Sequence, residues 1–215
     1  RGDEAITFRK GRAKYRIDFR GRESHAGSAF VDGRSAISEL ARTIVKLDEM
    51  TDLKGGTTVN VGAVGGGTEP NVVAGAAHCL IDVRFSDNKA GHAVERRLQS
   101  LAPSDPDIGI AVTGEIEKPC LERSEATLAL FRHAAELARA IGSPLVETSS
   151  GGGSDGNFTS AVGTPTLDGL GAIGNAWHSP DEHILVSALA RRELLLRRLF
   201  LTLGGRRSPN QTRNG

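Results

Sequence analysis

The chain has 215 residues, 38% of them hydrophobic and 25% charged, with a formal net charge of +1. That is enough apolar material for one or two ordinary cores, and the balanced charge excludes a polycation built for nucleic acid. No uncharged apolar run approaches the ~18 residues of a spanning helix, so no membrane partner is expected.

Two cysteines, Cys79 and Cys120, exclude a disulfide scaffold and a cysteine-built zinc site. They fit a reducing compartment, and a cytoplasmic location is expected. The first residue is Arg1 and the single methionine is Met50. The expectation is a processed chain or a piece of a longer one.

Residues 13–19 alternate, with Tyr15, Ile17 and Phe19 on one face, and predict a strand. A loop follows with Ser24-His25-Ala26-Gly27. Residues 34–48 place Ile37, Leu40, Ala41, Ile44 and Leu47 at helical spacing. Residues 57–64 and 76–85 read as strands, separated by the glycine-rich loop Gly65–Asn71. A helix is predicted over 88–101, ended by Pro103 and Pro106, and a strand over 108–113. The order β-α-β-β-α-β is the ferredoxin-like plait, placed at residues 13–115.

The remainder, 1–12 and 116–205, reads as part of an α/β unit. Its predicted elements are a helix at 124–141, short strands at 144–147 and 164–167, a glycine-rich turn from Ser149 to Phe158, and a last helix at 186–203. That helix places Leu189, Leu196, Phe200 and Leu203 on its inner face and Arg191, Arg192, Arg197 and Arg198 on its solvated face. The polar tail 206–215 is expected to be disordered, and its Asn210-Gln211-Thr212 sequon reads as chance.

Several residues suit chemistry and also suit simpler roles. His178, followed by Ser179-Pro180-Asp181-Glu182, fits a metal ligand oriented by a carboxylate. It equally fits a helix N-terminus capped by Ser179 with Pro180 in the first turn. Gly151–Gly156 fits either a backbone cradle for a carboxylate or a tight turn capped by Ser154 or Asp155. His25 is a loop histidine, solvated or functional. Asn71 suits a turn, and Arg84 near a strand end suits a surface charge. Lys118 before Pro119 says nothing by itself.

Five segments, in chain order, resemble one family. They are Gly21-Arg22-Glu23-Ser24-His25-Ala26-Gly27, Gly67-Thr68-Glu69-Pro70-Asn71-Val72-Val73, Asp82-Val83-Arg84, Ser150-Gly151-Gly152-Gly153-Ser154-Asp155-Gly156-Asn157-Phe158 and His178-Ser179-Pro180-Asp181-Glu182. They are similar to the dizinc metallopeptidases and amidohydrolases that include glutamate carboxypeptidase, acetylornithine deacetylase, succinyl-diaminopimelate desuccinylase, aminoacylase and the N-carbamoyl amino acid hydrolases.

The resemblance implies a fold, a reaction and roles for named residues. The plait would be a lid that carries a homodimer contact, followed by the second half of an α/β catalytic domain. The complete enzyme would bind two Zn2+ per site and cleave the C–N bond of an N-acyl, N-carbamoyl or peptidyl amino acid. His178 would be a zinc ligand. His25 would polarise the scissile carbonyl, in many relatives within the partner subunit's site. Asn71 would bond the substrate, and Gly152 and Gly153 would offer amides to its carboxylate. Lys118 stands where several relatives carry an Arg for that carboxylate, keeping the charge but losing the bidentate fork.

The family's other ligands, a His-x-Asp pair and a Glu-Glu or Glu-Asp pair, find no match in these 215 residues. The chain is therefore expected to be a carboxyl-terminal part, inactive alone. The rival reading is a non-catalytic dimerisation or binding module. A nucleic-acid-binding plait would want aromatics on its sheet face, where Val59, Val61, Leu80 and Val83 stand instead.

Overall fold

A computed structural model describes residues 3–204; the predicted tail 206–215 lies outside them. In chain order the elements are strands β1 (Glu4–Arg9), β2 (Gly11–Arg20) and β3 (Ser24–His25), helix α1 (Ala36–Asp48), and strands β4 (Thr58–Gly66), β5 (Val72–Val73) and β6 (Ala76–Phe85). Helix α2 (Asn88–Gln99), strand β7 (Gly109–Lys118), helix α3 (Glu125–Arg139), strand β8 (Val146–Ser150) and helix α4 (Gly156–Ala161) follow. Strands β9 (Gly174–Asn175) and β10 (His183–Ile184) and helix α5 (Val186–Gly204) complete them. They fall into two compact units.

One unit, residues 9–121 with 151–161, is the plait. Its sheet runs β4-β6-β2-β7 with every neighbouring pair antiparallel. Strict period-two alternation explains it. Ala13, Tyr15, Ile17 and Phe19 of β2 and Ala77, Cys79, Ile81, Val83 and Phe85 of β6 are buried on one face, under α1 and α2. Lys14, Arg16, Asp18 and Arg20 occupy the other face. Lateral ion pairs Arg16–Asp18 and Arg84–Asp82, at 2.7 Å each, decorate that bare face.

Ser35 caps α1 by accepting the Ser38 amide at 3.2 Å, and Asp87 caps α2 through the amides of Lys89 and Ala90. A Cβ at Gly91 would fall 2.8 Å from the Phe85 ring, so glycine there lets α2 approach the sheet.

The buried face of α1 departs from expectation. Leu40 and Leu47 are buried, but Ile37 and Ala41 are exposed while Glu39 and Thr43 point inward. The buried Glu39 carboxylate is satisfied by the Ser104 amide at 2.8 Å and by Arg42. This stabilises a rotation that apolar spacing alone does not show.

The second unit comprises residues 3–8, 122–150 and 162–204. Strand β1 pairs with β8, and a small core gathers Ala5, Ala134, Ala138, Leu145, Leu195 and Leu199. Three expectations are corrected here. Residues 164–167 form no strand; Pro165 lacks an amide, Thr166 Oγ1 donates to Thr164 O at 2.8 Å, and an isolated bridge joins Ile6 to Asp168 just beyond them. Strand β1, by contrast, was not predicted. It buries Ala5, Ile6 and Thr7 in succession, so no alternation marks it.

The third correction concerns α5, which is turned by about one residue. Ala188, Arg192, Leu195 and Leu199 face inward, while Leu189, Phe200 and Leu203 are exposed. Arg192, expected on the solvated face, is buried, and its Nη2 reaches Glu4 O at 3.4 Å. Burial pulls its pKa down from the ordinary value.

Candidate active site

Beyond β2 and β6 their ladder continues. The Gly21 amide bonds Gly75 O at 2.8 Å, Ser24 and His25 pair with Val73 and Val72, and the Ala26 amide bonds Asn71 O at 2.9 Å. This brackets His25 and Asn71 side by side, both exposed. Asn71 stands in a turn closed by Val72 N to Glu69 O at 3.1 Å, with Pro70 in the position where proline pre-sets the turn. The turn role and the substrate role expected of Asn71 are therefore compatible. His25 Nδ1 accepts from the amides of Gly27 and Ser28, each at 3.1 Å. A recess of about 540 Å³ opens on the bare sheet face at this end, where Arg16, Arg20, Asp18 and Glu23 balance in charge around His78.

A second cluster forms at the other end of the same unit. Lys118, the last residue of β7, lies 3.5 Å from Asp155 and over the Phe158 ring at 4.9 Å. A Cβ at Gly153 would fall 2.9 Å from Lys118 Cδ, so the glycine turn is pressed against this side chain. Arg9 donates to Gly152 O at 2.8 Å.

Asn157 is fully buried and holds the turn in place. Its Nδ2 donates to Pro119 O at 2.7 Å and Lys10 O at 3.2 Å, and its Oδ1 accepts from the Ser154 amide at 2.8 Å. The Gly-Asn-Phe segment carried a signal for Asn157. Nothing marked Arg9, an arginine in an unpredicted strand.

The two clusters are well separated. Along β2, Arg12 pairs with Lys118 while Arg20 pairs with Ala76 and Gly109. Those eight residue steps span roughly 27 Å at about 3.4 Å per residue. His25 lies past the far end, where the ladder runs on into β3 and β5.

His178 belongs to the second unit. The helix-start reading of its surroundings is overturned. Ser179 to Glu182 forms a turn, with Glu182 N on Ser179 O at 3.1 Å; β10 follows and α5 begins only at Val186. Ala176 and His178 take φ of 59° and 64°, a left-handed conformation that non-glycine residues seldom adopt outside functional or strained loops. The His178 amide donates to Glu182 Oε2 at 3.0 Å, and its ring is exposed. Among the described residues no three His, Cys, Asp or Glu side chains gather to hold a metal ion. A catalytic zinc takes about three protein ligands, so the residues present do not by themselves fit one.

The described chain is thus a four-stranded plait with polar motif loops at both ends and a separate strand-and-helix unit. Residues 7–107 match the family model described as the peptidase dimerisation domain. Carboxypeptidase G2 of Pseudomonas sp. (strain RS-16) is 28% identical over 210 residues, covering 94% of this chain and 50% of that protein. Succinyl-diaminopimelate desuccinylase of Alkalilimnicola ehrlichii is 28% identical over 198 residues, covering 87% and 51%. The crystal structure of aminopeptidase PepT from Bacillus cereus superposes with a TM-score of 0.70 at 26% identity, covering 92% of this chain and 53% of that one. Residues 7–107 belong to the peptidase dimerisation-domain family, and over nearly its whole length the chain is similar to peptidases and amidohydrolases of that family. It spans about half the length of the curated relatives it matches.

Proposed function

We propose that the complete protein is a zinc-dependent hydrolase of a C–N bond in an N-acyl, N-carbamoyl or peptidyl amino acid, built as a homodimer. The observation that carries the reading is the separation along β2. A small amino-acid-derived substrate cannot touch His25 and Lys118 of one chain across some 27 Å of strand. If both clusters serve one substrate, a second copy supplies one of them. In this reading Lys118 and the amides of Gly152 and Gly153 hold the substrate carboxylate. From the other copy, His25 donates to the scissile carbonyl oxygen, and Asn71 bonds the substrate beside it. His178 contributes one zinc ligand, and the remaining ligands come from outside the described residues.

The β4 edge is the proposed contact between copies. It ends the sheet, and beside it the outer stripe of α1, Ile37, Ala41 and Val45, is apolar and exposed. The opposite edge lies beside α2, whose outer residues include Lys89, His92, Arg96 and Gln99.

Mixed dimers of the complete enzyme test the reading. His25→Ala is expected to lower kcat by on the order of 100- to 1000-fold with zinc retained, and His178→Ala to lose metal and activity together. Combining the two variants should restore up to about half of wild-type activity, because a symmetric dimer then holds one intact composite site. No recovery from a verified heterodimer would place His25 in its own subunit's site. The 215-residue chain alone should retain no stoichiometric zinc after dialysis and should turn over no N-acyl amino acid; either outcome reversed would overturn the shared-ligand reading.

A further inference from the structure

The loop after β3 turns two backbone amides onto the ring of His25. A neutral imidazole carries one N–H donor and one acceptor nitrogen, and the partner of each nitrogen decides which is which. At His25 two backbone donors converge on Nδ1, the amides of Gly27 and Ser28, each at 3.1 Å. A protonated Nδ1 would face two N–H groups. The Ala29 amide closes the same turn on His25 O at 3.0 Å, so the backbone that carries the two amides is itself held to His25.

We propose that the amides of Gly27 and Ser28 lock His25 as the Nε2–H tautomer, so that it acts only as a neutral hydrogen-bond donor. General-base catalysis needs a free ring lone pair, and so does metal ligation. The Nδ1 lone pair is taken by the amides and Nε2 carries the proton, so neither role is open. What remains is donation from Nε2–H. Its assignment to a substrate carbonyl rests on the hydrolase reading above, whereas the lock itself does not. Gly27 and Ser28 are positioning residues through their backbone, and the Ser28 side chain plays no part in the lock.

The molecule supplies its own contrast. The Nδ1 atoms of His92 and His183 face oxygen acceptors, Glu95 Oε2 at 3.1 Å and Asp181 O at 2.8 Å, an arrangement that calls for a proton on Nδ1. Long-range 1H–15N spectra of the 15N-labelled 215-residue chain, recorded where the rings are neutral, test this. His25, assigned by loss of its signals in His25→Ala, should show an unprotonated Nδ1 and a protonated Nε2, opposite to His92 and His183. Ser28→Ala keeps the amide and should leave the pattern unchanged. Ser28→Pro removes the amide and should move part of the population to Nδ1–H.

An Nδ1–H pattern in the wild-type chain would overturn the lock, and so would a folded Ser28→Pro chain with the wild-type pattern. If Ser28→Pro does not fold, exchange decides: the Gly27 and Ser28 amides should exchange faster in His25→Ala than in wild type, and equal rates would overturn the lock. Failure of the mixed-dimer experiment would leave these spectra untouched.

Discussion

The two units use the same kinds of element and differ in how they close a core. The plait buries Tyr15, Phe19, Phe85, Leu47 and Leu98 between one sheet face and two capped helices. The second unit packs Ala5, Ala134 and Ala138 against Leu145, Leu195 and Leu199, while Phe200 and Leu201 of α5 remain about 70% exposed. A core of large side chains in a closed sheet-and-helix sandwich gains far more from burial than a few alanines. The plait is therefore expected to be the more stable unit, with the second melting first.

The sharpest way to break that comparison is to hollow the plait. Phe19 is 1% exposed on β2, one of the two inner strands of the sheet. Phe19→Ala should lower the upper urea transition by about 3–5 kcal/mol and leave the lower one in place. Phe200→Ala, on the exposed side of α5, should move either transition by no more than about 0.5 kcal/mol. A single transition, or a large effect at Phe200, would show that the two units do not unfold separately.

The same contrast governs what could be read from the sequence. The plait's strands are buried on one face only, so β2 and β6 announce themselves by alternation, and Ser35 and Asp87 mark the helix starts. Strand β1 buries consecutive residues and gives no period. The rotations of α1 and α5 depend on Glu39 and Arg192, polar side chains whose burial is decided by distant partners, Ser104 and Glu4.

The candidate site divides in the same way. The motif loops point to His25, Asn71 and Gly153, whereas Lys118 stands out only through the family resemblance. Their grouping into two clusters at opposite ends of β2 follows from strand register, which no local pattern states. Arg9 carried no signal, because its use depends on meeting Gly152 across 143 residues of chain.

A finer cut concerns the glycine turn. It follows β8 of the second unit in sequence, yet residues 151–161 belong to the plait. The tie is Asn157, whose buried amide bonds Lys10 O, Pro119 O and Ser154 N. Asn157→Ala leaves two carbonyls and an amide without these partners. The cost should be about 1–3 kcal/mol, read in the upper transition and accompanied by faster exchange of the Ser154 amide. A loss confined to the lower transition would reassign the turn to the second unit.

A smaller effect than that of Asn157→Ala is expected within the second unit. Arg123 forks onto Glu147 at 2.6 and 3.0 Å, and Thr7 donates to the same carboxylate at 2.6 Å, joining β1, β8 and the start of α3. The Arg123 bonds, helped by Thr7, hold the Glu147 carboxyl below its ordinary range. The folded state thus favours the carboxylate. Its contribution is fully present above the unfolded value of about 4.3 and is lost as pH falls through the lower folded value. Glu147→Gln should therefore lower the first transition at pH 7 by less than Asn157→Ala lowers the second, since Arg123 is half exposed and the pair is screened. The difference from wild type should shrink as pH falls into the acid range and narrow in high salt. A difference that stays constant from neutral to acid pH would mean that Glu147 acts through packing or its neutral hydrogen bonds, and the ion pair would drop out of the account of this unit.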